Sequence, residues 1–151
     1  MSPEALGWER AMKEEIHSLK ENDTFELTIL PEGRKTVGGR WVYALKENAE
    51  TGKIFKARYV AKGYNQTEGI DYHETFAPTA NLTSVRALIQ IAAQNNFLVH
   101  QMDVKTAYLH APIEEDIYLE QPEGFEQTSE TGVKWVCKLK KSLYGLKQSV
   151  L

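Results

Sequence analysis

Two alternating stretches joined by five turn-forming residues constrain this chain more than any other feature. "GRWVYALKE" (39–47) and "KIFKARYVAKGY" (53–64) flank "NAETG", which supplies Asn, Thr and Gly. Strand side chains repeat every two residues, and a short polar loop ending in Gly returns the chain antiparallel, so the spacing predicts a β-hairpin. In its second strand Lys56, Arg58, Val60 and Lys62 share one face if the strand is regular. Such a row of cations either guards a solvated edge against pairing or meets phosphate.

Helical and strand patterns alternate on both sides of the hairpin. Ser2-Pro3-Glu4 offers a cap and a first-turn Pro, after which Trp8, Met12, Ile16 and Leu19 recur at helical spacing until Asn22. "TFELTIL" alternates before the turn Pro31-Glu32-Gly33, and "VGGRW" marks another turn. A polar loop, "GYNQTEGIDYHETFAP", precedes a second amphipathic helix, "LTSVRALIQIAAQNN", with a Thr or Ser cap and Val85, Leu88, Ile89, Ala92 and Ala93 on one face. Three further strands are expected in "FLVHQMDV", "DIYLEQPEGF" and "VKWVCKLKK". The class is α+β, mostly antiparallel, with two helices.

The net charge of -3 hides a blocked distribution. From Arg34 to Gln66 eight Lys or Arg face Glu47 and Glu50; from Ile113 to Glu130 there are seven acids and no base; from Lys134 to Lys147 there are five Lys and no acid. Two segments are thus able to meet phosphates despite the acidic total. The single Cys137 excludes an internal disulfide and a multi-Cys zinc site, and its alternation with Lys138 assigns it to the core. Asp71, His73 and Glu74 crowd an irregular segment and read as loop polarity rather than a metal site, and the four His lack ligand-pair spacing. No membrane span and no secretory h-region is visible, so a soluble, intracellular protein is expected.

"HQMDVKTAYLHA" poses the chemical question, because Asp103 ends an apolar run that begins at Phe97. A carboxylate in a dry site must be paired, hydrogen-bonded or bound to a cation. The residues alone favour a strand-end cap or an ion pair.

Read together, "WERAM..E...L..NDTFEL", "LPEGRKTVGGRWVYALK", "KARYVAKGYNQTEGIDYHETFAPTANLTSVRALIQIAA", "QMDVKTAYLHAPIEEDIYLEQPEGF" and "KSLYGLKQ" follow one another in an order that resembles the reverse transcriptase of copia-type LTR retrotransposons, over about Ser2 to Ser149. The resemblance implies a right-hand polymerase: an N-terminal helix, fingers and connecting helix over about 1–96, and the start of a truncated palm over about 97–151. It implies that Asp103 is the first catalytic carboxylate and a ligand of Mg²⁺, in a site where two ions about 3.5 to 4 Å apart serve the primer hydroxyl and the incoming triphosphate. It further implies that Lys56, Arg58, Lys62, Val104 and Tyr108 surround the dNTP, the Tyr108 ring lying under the sugar. Gly145, Lys147 and Gln148 would position template and dNTP. The implied partners are an RNA or DNA template, its primer and dNTP.

The sequence departs from the family at its end. Val150 stands where a Pro is expected, and no Tyr-x-Asp-Asp hairpin, or any Asp-Asp pair, occurs in the 151 residues. Glu114, Glu115 and Asp116 read as a solvated turn. One carboxylate is too few for ions that need several placed oxygens, so the stretch alone is expected not to polymerise. Remaining palm, thumb and RNase H segments are absent from it, which should leave apolar surface on "FLVHQM" and "VKWVCKL" uncovered. The alternatives are a non-catalytic nucleic-acid-binding module and an inert retroelement relic.

Overall fold

The computed structural model describes residues 3–48, 52–73, 75, 80–102, 104, 109, 111–129 and 132–150. Helix α1 (Pro3–Glu21) buries Ala11, Ile16 and Leu19. Its opposite face carries the i,i+4 pairs Arg10–Glu14 and Lys13–Glu9 in solvent. The helix ends at Glu21, where Asn22 Nδ2 donates to the Ser18 carbonyl at 2.8 Å, and Asp23, with φ 48°, turns the chain.

Five strands follow among the described residues: β1 (Phe25–Thr28), β2 (Gly39–Asn48), β3 (Gly52–Ala61), β4 (Tyr118–Leu119) and β5 (Val136–Leu139). The expected hairpin forms between β2 and β3, with Trp41 opposite Tyr59 and Tyr43 opposite Ala57. The other three make a sheet in the order β1-β5-β4, all antiparallel, in which Leu27 and Leu119 both face Cys137 across the ladder. Val37 ties the hairpin to this sheet by a parallel bridge: its N–H donates to Tyr118 at 2.7 Å and its carbonyl accepts from Glu120 at 3.0 Å. The architecture is α+β with antiparallel ladders and two helices, as the periodicity predicts.

One core gathers both ends of the chain, joining Ile16 and Leu19 of α1 to Tyr59, Ile117, Leu119, Cys137, Leu139, Leu143 and Leu146. Trp8 lies edge-on to Phe55 and to Tyr43, with centroids 4.8 and 5.2 Å away, which seats α1 against the hairpin. Cys137 is a core residue, 1% exposed.

Burial pushes the Cys137 thiol from its ordinary 9.0 up to about 12. The folded value lies above the unfolded one, so the thiol's contribution to stability is complete below pH about 9 and is lost as pH climbs toward about 12. Thermal melts across that window should therefore fall more steeply for the native chain than for Cys137→Ala. A thiol reagent at pH about 8 should label Cys137 only after denaturation.

Three expectations need correction. Residues 97–102 and 104 form no strand: they pair with no ladder among the described residues, and Leu98 and Met102 are 88% and 91% exposed. Alternation supplies a preference for extended backbone, but a strand also needs a neighbour for its N–H and C=O groups. Helix α2 (Leu82–Gln94) does form, yet it begins at an Asn81 cap, which accepts from the Thr83 N–H, rather than at Thr or Ser. Of its apolar face, only Ala92 is buried, while Val85, Leu88 and Ile89 stay exposed. The uncovered apolar surface expected on "VKWVCKL" is also largely absent, since β1 and β4 flank β5 and bury Val136, Cys137 and Leu139.

Candidate nucleic-acid interface

The hairpin register decides which side chains look outward. Arg40 lies opposite Val60, Val42 opposite Arg58 and Ala44 opposite Lys56, so all six share a face. The alternate set, Ala57, Tyr59 and Ala61, is buried. Lys56 and Arg58 are therefore exposed together, as the regular strand requires. Lys62 falls one residue beyond β3, where the backbone leaves the extended region at ψ 74°.

The break at Lys62 brings distant segments together. The Lys62 N–H donates to the Gly38 carbonyl and the Ala61 N–H to the Tyr144 carbonyl, each at 2.8 Å. Gly63 and Gly145 interlock: a Cβ on Gly63 would strike the Gly145 carbonyl oxygen, and a Cβ on Gly145 would strike that of Ala61. Gly145 also holds φ at 92°, a conformation side chains rarely adopt. The result is an open concavity of about 500 Å³ whose wall includes Arg40, Lys62, Gly63, Tyr64, Gly145 and Lys147.

Its charge is uncompensated. Arg40, Lys56 and Lys62 make no side-chain ion pair or hydrogen bond among the described residues. Other cations are spoken for: Lys53 pairs with Glu4 at 2.8 Å, Lys138 with Asp116 at 2.8 Å and Lys140 with Asp23 at 3.1 Å. Hydrogen bonding to these carboxylates holds all three ammonium groups above their ordinary values. The Arg34 guanidinium donates to the Asp116 carbonyl and lies over the Tyr118 ring. The Arg58 guanidinium carbon lies 5.1 Å from the Tyr144 ring centroid, a cation–π contact that engages the charged group itself.

Lys147 is aimed rather than free. Its ammonium lies 4.2 Å from the Tyr72 ring centroid and donates to the Tyr72 hydroxyl at 2.7 Å. Buried Gln66 then joins the two loops: its Oε1 accepts from the Lys147 N–H at 2.8 Å and its Nε2 donates to Gln148 Oε1 at 3.0 Å. Gln148 Nε2 donates in turn to the Asp71 carbonyl at 2.8 Å. Gln148 thus serves the clamp behind the concavity, whereas Gly145, Lys147 and Lys62 line it.

Sequence reasoning missed Arg40, Tyr64, Gln66 and Tyr72. Arg40 was within reach, because the position of the hairpin turn sets a register that places it beside Val60 on the cationic face. Gln66 and Tyr72 sit in a stretch that reads only as polar loop, and their partners are about 80 residues away. Of the remaining candidates, Val104 is exposed and does not line the concavity, and Asp103 and Tyr108 lie outside the described residues. Glu74 also lies outside them, while Asp71 Oδ2 accepts the Thr67 N–H at 2.8 Å. Among the described residues no three His, Cys, Asp or Glu converge as a metal site. No helix there is long and apolar enough to cross a membrane.

Comparison with known proteins bears on this geometry. The profile of the family described as "Reverse transcriptase (RNA-dependent DNA polymerase)" matches residues 22–151. The chain is 46% identical over 148 residues to the "Retrovirus-related Pol polyprotein from transposon TNT 1-94" of Nicotiana tabacum, covering 97% of this chain and 11% of that protein. It is 41% identical over 145 residues to the "Retrovirus-related Pol polyprotein from transposon RE1" of Arabidopsis thaliana, covering 94% of this chain and 10% of that protein. The chain thus spans about a tenth of the length of these relatives. No solved structure matches it. With a family profile over most of its length and transposon Pol polyproteins at this identity, the chain belongs to the reverse transcriptase (RNA-dependent DNA polymerase) family, in the branch of copia-type retrotransposons.

Proposed function

We propose that these residues form the fingers and the start of the palm of a right-hand polymerase, and that the concavity at Arg40, Lys62 and Lys147 receives the phosphates of nucleic acid or of an incoming dNTP. The observation that carries this reading is the set of unpaired cations on one hairpin face, continuous with a backbone cradle of two glycines. Backbone without side chains lets the two loops pack directly on each other and fixes the wall, and cations fixed in advance stabilise charge without reorganising. Lys56 and Arg58 extend the positive surface along β3, where a template strand would run. Gly145 supports the cradle and Gln148 holds Lys147 in place.

Asp103 and Tyr108 are assigned by family resemblance, as metal-binding carboxylate and sugar-packing ring. When bound, Mg²⁺ would supply charge neutralisation at the reacting phosphate and activation of the primer hydroxyl. A hard dication takes several oxygens, and these 151 residues hold no Asp-Asp pair to join Asp103, so further carboxylates must come from elsewhere. The division of labour is then clear. The hairpin together with the 145–147 loop holds phosphate, and residues from about 97 begin the catalytic floor.

A labelled RNA–DNA primer-template titrated with the 151-residue chain across a salt series, with and without Mg²⁺ and dNTP, tests the reading. Binding that weakens steeply with salt, with no primer extension, is the expected result. Extension by this chain alone would sink the requirement for additional carboxylates. Absence of binding at low salt by a cooperatively folding sample would reject the phosphate site and leave an inert segment.

A further inference from the structure

The phosphate site has one neighbour that charge does not explain. Tyr64 borders the concavity and is 73% exposed, whereas Trp8, Trp41, Tyr43, Phe55, Tyr59 and Phe125 are engaged with one another in ring contacts. Its ring makes no aromatic or hydrogen-bond contact among the described residues. The backbone beneath it is nevertheless held on both sides. Lys62 is bound to Gly38, Gly63 is locked against Gly145, Asn65 donates to the Lys62 carbonyl at 2.8 Å, and buried Gln66 is tied to Lys147 and Gln148. A rigid turn therefore presents a bare aromatic face beside Arg40 and Lys62.

An isolated exposed aromatic is ordinary on a protein surface. Here the ring stands on a fixed backbone at the lip of a concavity walled by cations, the combination by which proteins hold single-stranded nucleic acid: charge follows the phosphates and a ring stacks on a base. We infer that Tyr64 stacks on an unpaired nucleobase of the strand whose phosphates occupy the Arg40, Lys62 and Lys147 concavity, so that the site grips single-stranded template without regard to sequence. Stacking is tolerant of base identity because every base has a π face. The inference rests on the phosphate reading above and adds the base to it.

The test compares a short oligothymidylate with an abasic deoxyribose-phosphate oligomer of the same length, binding each to the native chain, to Tyr64→Ala, to Tyr64→Trp and to Lys62→Ala. Native chain should bind the base-bearing strand on the order of tenfold more tightly than the abasic one. Tyr64→Ala should abolish that preference, Tyr64→Trp should preserve it, and Lys62→Ala should weaken both ligands alike. Thermal melts of the variants should match the native chain, since Tyr64 is largely exposed and its ring makes no aromatic or hydrogen-bond contact among the described residues. A preference that survives Tyr64→Ala, or no preference in the native chain, overturns the stacking role while leaving the phosphate site intact. Failure of the native chain to bind either strand overturns both.

Discussion

Gly145→Ala should lower the stability of this chain by about 3 kcal/mol or more, the sum of a side chain forced into a positive φ and of a backbone that must move aside. The φ of 92° alone is strained for alanine, and the added methyl would meet the Ala61 carbonyl oxygen, which belongs to a hairpin and cannot swing away like a flexible side chain. Gly63→Ala meets the Gly145 carbonyl in the same way but without the positive φ, so it should cost less. Gly132→Ala provides the control: its φ is 78° and nothing lies within 4 Å of the new methyl, so only the conformational term, about 1 kcal/mol, remains. Urea unfolding of the three variants checks the order. Equal losses for Gly145→Ala and Gly132→Ala would mean that the two loops do not interlock. If the order holds, the two loops interlock, and on the proposed phosphate reading any Gly63→Ala protein that still folds should bind primer-template more weakly.

Removing charge should have the second largest effect. Arg40, Lys56 and Lys62 carry no protein counter-charge among the described residues, so their replacement by Ala leaves no buried partner stranded and the fold should persist. Each cation that neutralises a phosphate of a single strand contributes about 0.7 to the slope of log K against log salt. The triple variant should therefore show a slope shallower by about 2, and its affinity at low salt should fall by about 100-fold. The control is Lys53→Ala, which removes equal charge from the same hairpin but from a residue paired with Glu4. An unchanged slope for the triple variant would place the nucleic-acid contact on some other surface. A loss caused by Lys53→Ala as large as that of Lys62→Ala would reduce the effect to net charge.

Much of this molecule was legible along the chain because its signals are local. The hairpin 39–61 follows from two alternating stretches and one polar loop, α1 from apolar spacing and an Asn stop, and the core position of Cys137 from its alternation with lysines. The outward direction of Lys56 and Arg58 follows from the same period of two. These features depend on sterics and burial within a few residues, which a single segment can specify.

What escaped was anything that depends on a partner distant in the chain. The concavity exists because backbone at 61–63 meets backbone at 144–147, and because Gln66 and Tyr72 hold Lys147 from the far side. No residue type in either segment announces that meeting. The same dependence explains the failures: alternation at 97–102 produced no strand without a neighbour to pair with, and the apolar face of α2 produced a helix that buries only Ala92. The sequence by itself determined the α+β class, the hairpin, its cationic face and, through resemblance, the polymerase family. The tertiary structure alone decided which cations are free, which are paired, and that Lys62, Gly145 and Lys147 share one wall. The physical reason is that periodicity specifies a face, whereas a site requires two faces to meet.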